Sequence, residues 1–302
     1  MVFHSITDKA GYFPGVVNIG YIRLSKKEGM LIDAGLEDQT MKKVIKEAQK
    51  MEIPITHLFI THAHADHYGG AAYLQQEYQV YTISPVFEAA ILQHPMIEPL
   101  YLFHGVQPLK SWRNKFLEGK AVRVDLVLEE EGTVQLADTS IETIALPGHS
   151  YNQFGVIYDE VLFAGDGYFG VESLHKHRIP YIVDAHQTIQ SIEKLKKLSC
   201  KGAVPGHGSF EENIKLTLEE NLKVHKEIEN LLYEMIRESP EGISLDMLIT
   251  KACREKEIMI KNTSSYMLFR TAITAYLTKL MRENKVDLLV KHNQLLVESL
   301  SK

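Results

Sequence analysis

The stretch THAHADH, Thr61–His67, places three histidines and one aspartate within six positions. Side chains two apart on an extended segment point the same way. His62 and His64 can therefore reach one metal ion together, while Asp66 and His67, just after a turn, can face a second. Neutral imidazole and carboxylate oxygen suit zinc, and four such groups this close are rare on a plain surface loop. Upstream, Pro54 opens the apolar run ITHLFIT, which predicts a strand ending at the motif. Downstream, Gly69 and Gly70 allow close backbone approach.

Three more candidate ligands each follow a predicted strand: His149 in LPGHS, Asp166 in FAGD and His207 in VPGHG. A glycine precedes each, so the chain can turn tightly at the strand end. Strand-end loops are where a rigid scaffold presents functional side chains.

The surrounding pattern is a mixture of strands and helices. VVNIGYIRLS and GMLIDAG read as strands with a turn between them, and Glu37–Met51 as a helix with Met41, Val44, Ile45 and Ala48 on one face. Ala71–Glu77 continues as a helix and QVYTIS as a strand. Residues 84–119, with four prolines and five large aromatics, read as a helical insert over an apolar pocket. AVRVDLVL, TVQLAD, SIETIALPGHS, FGVIYD and EVLFAGD resume the strands, and Thr188–Leu198 is a helix. From about Asn213 a long amphipathic helix runs to about Glu238, where Pro240 and Gly242 break it. Two more helices, Ser244–Arg254 and Ser265–Asn284, precede a β-hairpin turning at His292 and Asn293. Three helices and a hairpin in this order predict a small winged-helix domain.

The seven ligand-type residues resemble the metallo-β-lactamase superfamily, and within it the glyoxalase-II-like hydrolases, over roughly Val2–Gly208. The resemblance implies an α+β architecture, an αββα sandwich, for residues 1–220, followed by the winged-helix-like unit over 221–302. It also implies that His62, His64 and His149 bind one metal, that Asp66, His67 and His207 bind the other, and that Asp166 bridges them. The expected cofactors are two zinc ions, with iron or manganese also compatible with such ligands. Two metals at this spacing can bridge a hydroxide that acts as the nucleophile. Asp66 would orient it or pass a proton, and Tyr168 could donate its hydroxyl to an oxyanion. His175 and His177, in a predicted loop, are weaker candidates for substrate contact. Asp184 reads as a helix cap.

The expected function is hydrolysis of a small thioester, ester or lactone. One alternative is a single-strand endoribonuclease or other phosphodiesterase. The β-lactamase-like endoribonucleases share the order of catalytic unit and winged-helix tail, with Lys261, Arg270, Lys279, Arg282, Lys285 and Lys291 as candidate phosphate contacts. Another is a non-enzymatic metal protein that binds nucleic acid or a partner. The net charge of −6 does not favour RNA as the partner. The charge is uneven: the 13 Lys and Arg after Glu220 stand against 11 Asp and Glu, so the tail is +2 and the remainder −8. Two widely spaced cysteines, Cys200 and Cys253, argue against a disulfide framework. With no signal-peptide pattern and no long apolar run, the expectation is a cytoplasmic protein that does not enter the membrane. The oligomeric state is left open.

Overall fold

A computed structural model describes residues 1–136 and 138–300. Ala137, in the expected TVQLAD strand, and Ser301 and Lys302, at the end of the expected tail, lie outside them.

Two sheets form the centre. The first runs in chain order: β1 (His4–Ser5), β2 (Ala10–Phe13), β3 (Ile19–Arg23), β4 (Gly29–Ile32), β5 (His57–Phe59), β6 (Tyr81–Pro85) and β7 (Leu126–Leu128). The pairs from β1 to β4 are antiparallel. Those from β4 to β7 are parallel and need crossovers. Helices α1 (Asp38–Lys50), α2 (Ala65–Tyr68) and α3 (Ala71–Tyr78) supply them, followed by α4 (Val86–Gln93) and α5 (Ile97–Leu102) in the insert. The second sheet contains β8 (Gly132–Leu136), β9 (Thr139–Ala145), β10 (Phe154–Tyr158), β11 (Val161–Gly165) and β12 (Gly202–Pro205), with β11 and β12 parallel.

Ile22, Met30, Phe59, Val156 and Phe163 meet between the sheets in one apolar layer. The outer face of the first sheet is covered by α1 and α3 through Met41, Val44 and Leu74. On the second sheet, Ile192 and Leu195 of α7 (Ala185–Leu195) and Leu218 of α8 (Lys215–Arg237) do the same. The layers are thus helix, sheet, sheet, helix, each apolar face buried against the next. Helix α6 (Val171–His177) occupies the segment expected as a loop.

The tail continues with β13 (Ile243–Ser244), α9 (Leu245–Glu255), α10 (Thr263–Arg282) and the hairpin β14 (Val286–Lys291)–β15 (Gln294–Ser299). His292 and Asn293 both have positive φ, as a two-residue hairpin turn requires. The expected boundary after residue 220 falls inside α8. The tail shares one core with what precedes it: Ile228, Leu232, Leu248 and Tyr276 pack with Phe169, Leu174, Ile179 and Ile182. Among the described residues, no helix is long and apolar enough to cross a membrane.

Candidate metal centre

The ligand loops leave the strand ends on one rim. Between β5 and α2, residues 60–64 carry His62 and His64. Asp66 and His67 sit on α2, a single turn. His149 follows β9, Asp166 follows β11 and His207 follows β12. Two glycines are required by this crowding. Gly148 has φ +127 and lies against Thr188, and a Cβ on Gly206 would come within 2.1 Å of Asp166 Oδ1.

Three donor sets converge: His62, His64 and His149; His62, His67 and Asp166; and Asp66, His67 and His207. Within each, the donor atoms lie within 4.8 Å of one another. Asp166 stands between the outer two sets, with Oδ1 3.3 Å from His67 Nε2 and Oδ2 3.2 Å from His149 Nε2 and 3.4 Å from His207 Nε2. Asp66 Oδ2 is 3.3 Å from His207 Nε2.

The outward ring nitrogens are anchored. His62 Nδ1 meets Thr61 Oγ1 at 3.0 Å, and His67 Nδ1 meets Asp33 Oδ2 at 2.8 Å. His149 Nδ1 faces the Tyr181 carbonyl at 2.9 Å, and His207 Nδ1 the Val16 carbonyl at 2.8 Å. These four rings thus turn their Nε2 inward, as second-sphere partners make metal-binding histidines do, whereas His64 points its Nδ1 at His149 Nε2, 2.9 Å away. Among the described residues, His62 Nε2, His67 Nε2 and Asp166 Oδ1 are buried without hydrogen-bond partners. Buried donors and acceptors seldom stay orphaned. Their convergence fits a bound cation, so the residues present suit the metals their type implies.

Electrostatics without a metal show the same strain. Burial, with His149 beside it, pushes His64 down to about 3. Burial also lowers His62 far below the usual histidine value, helped by His67 and His64. Burial opposes charge on His207 too, but Asp166 and Asp66 outweigh it and push its pKa up to about 10. Asp166 is buried, yet His207 and His67 hold its carboxyl well below the ordinary range.

Two carboxylates that the motifs did not signal support the loops. Asp33, just after β4, accepts from Thr61 N at 2.8 Å and Thr61 Oγ1 at 2.9 Å as well as meeting His67. Glu88 on α4 accepts from Ala63 N at 2.8 Å, Ser150 Oγ at 2.6 Å and Asn152 N at 2.9 Å. It therefore clamps the loop of His62 and His64 to the loop of His149. Neither has a spacing signature; only the apolar strand before Asp33 hinted at a strand-end residue.

Above the ligands lies a cleft of about 340 Å³, lined by His64, Asp66, Glu98, Phe116, Leu117, His149, Asp166, Phe169, His177, Tyr181, His207 and Leu268. The insert does roof it, and α10 joins the roof. Met267 and Leu268 pack with Leu102, Phe103, Leu117 and Trp112, and Arg270 Nη1 lies 2.9 Å from the His104 ring.

Tyr168, expected in the cleft, is not there. It is fully buried in the layer beneath, among Leu146, Leu162 and Ile192, and its hydroxyl has no partner. The phenol at the cleft is Tyr181, with its ring edge-on to His64 at 5.3 Å between centroids. His177 lines the cleft, 6.3 Å from the His207 ring. His175 is exposed on α6 and pairs with Glu220 at 3.2 Å, away from it. Asp184 caps α7, accepting from His186 N and Gln187 N.

The candidate phosphate contacts on the tail are largely engaged elsewhere. Lys279 is buried between Glu229 and Glu283. Arg282 pairs with Asp184, Lys285 with Glu283, and Lys291 with Glu241. Lys261 is exposed.

Comparison with known proteins agrees with this geometry. Residues 12–207 match the family model described as "Metallo-beta-lactamase superfamily". "Hydroxyacylglutathione hydrolase 1" of Vibrio vulnificus is 25% identical over 247 residues, 80% of this chain and 80% of its own. "Atrochrysone carboxyl ACP thioesterase" of Aspergillus fumigatus is 24% identical over 205 residues, 67% of this chain. The chain spans little more than half the length of that relative, 54%. A crystal structure of a beta-lactamase domain protein from Burkholderia ambifaria superposes with a TM-score of 0.72 at 13% identity. That match covers 98% of this chain and 93% of the other, so the likeness of fold extends through the tail. The sequence match over both ligand-bearing sheets, together with the convergent donors, places the chain in the metallo-beta-lactamase superfamily.

Proposed function

We propose that this chain is a metal-dependent hydrolase acting on a small thioester or ester, with a lactone as a variant of the same chemistry. The observation that carries this reading is the set of seven His and Asp side chains at the floor of a small cleft roofed by apolar residues. Small-molecule sites have this form, with a few fixed polar groups under apolar walls. Relatives named as a hydroxyacylglutathione hydrolase and an acyl-carrier thioesterase support thioester chemistry.

His62, His64 and His149 would hold one metal and Asp66, His67 and His207 the second, with Asp166 shared; the nitrogen and oxygen donors favour zinc. When bound, such a pair supplies Lewis acidity and an activated water. The chain's own groups divide the remaining work. Asp166 is sealed in and fixes the ligand rings. Asp66 keeps about a third of its side chain open to the cleft, so its carboxylate is the one placed to orient water or carry a proton to the leaving group. His177, which burial holds below the usual histidine value, can contact substrate as a neutral ring. Leu117, Phe169 and Leu268 keep bulk water away and orient an apolar substrate portion.

A phosphodiesterase reading draws on the tail, whose helix–strand–helix–helix–hairpin order resembles a winged helix. Against it, α10, the helix that would enter a nucleic-acid groove, spends Met267, Leu268 and Arg270 on the insert. We favour a tail that completes the cleft. Metal analysis, with parallel assays on a chromogenic thioester, a lactone and a single-stranded RNA, tests both readings. Two metals per chain with thioester or lactone turnover supports the first. RNA cleavage alone replaces it with the second.

A further inference from the structure

Glu98, on α5 of the insert, is only 2% exposed and lines the cleft, yet its Oε2 has no hydrogen-bond partner among the described residues. It is not in any of the donor sets that could hold a metal. A buried carboxyl without a partner costs stability, and protein interiors avoid leaving such groups unsatisfied. Nothing in the fold of the insert requires an acid there: the neighbouring Leu102, Phe103 and Leu117 form an apolar cluster. Tyr101 and Tyr181 are close enough to feel its charge, and the two tyrosine hydroxyls lie next to one another.

The other residues at the cleft define what would partner this carboxyl. No lysine or arginine is among those lining it. Beyond the candidate ligands, the polar groups that line it are Glu98, Tyr181 and His177, and Phe116 and Phe169 add aromatic rings to the lining. A buried carboxyl close to the Tyr101 and Tyr181 phenols, with no lysine or arginine in the lining, is complementary to an ammonium group. The carboxylate accepts its N–H bonds, and the rings attract its charge. The same lining is a poor match for a second carboxylate or a phosphate away from the metals.

We propose that Glu98, with Tyr181, determines specificity in this cleft by selecting substrates that carry a protonated amine on the portion lying under the insert. This rests on the hydrolase reading above, which it narrows.

The test uses the full-length, metal-loaded protein and three thioesters of one thiol: 4-(aminomethyl)benzoyl, its uncharged isostere 4-ethylbenzoyl, and the anionic 4-(carboxymethyl)benzoyl. We expect kcat/KM for the amine to exceed that for the ethyl compound by at least about tenfold, as for a site built to bond a group its competitor lacks. The carboxylate should be the poorest of the three. In Glu98→Gln the amine preference should shrink to within about threefold. A wild-type enzyme without amine preference, or a preference unchanged in Glu98→Gln, overturns the proposal while leaving the hydrolase reading intact. If none of the three is hydrolysed, the hydrolase reading fails in this assay. The proposal is then judged by calorimetric binding of the matching ketones, with methylene replacing the ester sulfur. An amine analogue bound at least about tenfold more tightly than the ethyl one, with the difference lost in Glu98→Gln, sustains it; equal binding refutes it. Glu98→Met, which removes the acid without adding a polar group, repeats the measurement should the glutamine variant fold poorly.

Discussion

Asp33 Oδ2 lies 2.8 Å from Nδ1 of His67, and the same carboxylate accepts two further bonds from Thr61. One side chain at the end of β4 thus fixes both the start of the ligand loop and the rotation of a ring at its far end. Asp33 itself adopts a positive φ of 64°, a conformation Asp tolerates better than most residues. Its replacement should be felt at the metal. We expect Asp33→Asn to lower metal affinity by about 10- to 100-fold, the usual effect of losing a carboxylate behind a ligand histidine. Competition with a chromogenic chelator measures it. Unchanged affinity would mean that His67 does not hold metal.

Tyr168→Phe should leave kcat within about twofold, because the hydroxyl is sealed beneath the second sheet and makes no bond there. Thermal melting should show equal or slightly greater stability, since a buried hydroxyl without a partner is removed. Steady-state kinetics on whichever ester the enzyme accepts is the check. A loss of a hundredfold would show that the strand end moves to bring Tyr168 into the cleft.

The convergence of the candidate ligands was legible because four of them crowd one short motif after a strand and the other three each follow a strand and a glycine, a pattern that survives in one dimension. Which phenol faces the cleft was not, since that depends on how the chain turns after Asp166: it carries Tyr168 back under the sheet, while Tyr181 arrives from beyond α6. His175 and His177 looked equivalent in a supposed loop. On the helix that forms instead, residues two apart point about 200° apart, so only His177 faces the cleft. Asp33 and Glu88 were missed because a single acid at a strand end or in a helix carries no spacing signal. The boundary after residue 220 followed a shift in charge, and charge does not report that α8 shares its apolar face with α6 and α7.

Glu88→Gln should destabilise the protein by about 1–3 kcal/mol near neutral pH, because an amide nitrogen must face one of the three donors that the carboxylate now satisfies. Its pH dependence has a definite sign. Burial raises the Glu88 pKa above its ordinary value of 4.5, despite the bonds from Ser150, Ala63 and Asn152. From that value upward to the folded one, the folded state holds more protons than the unfolded state. The Glu88 contribution to stability therefore falls as pH rises through this window. Denaturant titrations of the two proteins across the window should show a shallower decline for the glutamine variant. Parallel curves would mean that Glu88 titrates normally.

Removing the chain after Glu220 should abolish folding rather than merely a tail function. The cut would sever α8 within its first two turns and uncover Phe169, Leu174, Ile179 and Ile182, which now pack on Ile228, Leu232, Leu248 and Tyr276. At about 1.5–3 kcal/mol for each large apolar side chain returned to water, four such residues cost roughly 6–12 kcal/mol, the whole stability of a typical domain. Asn221, whose side chain bonds both the N–H and the carbonyl of Phe169, would go with them. The truncated protein should therefore be insoluble or lack a cooperative melt, losing metal binding together with every hydrolytic activity. A soluble fragment of residues 1–220 that melts cooperatively and retains two metals would show instead that the sandwich folds alone and that the tail only covers its cleft.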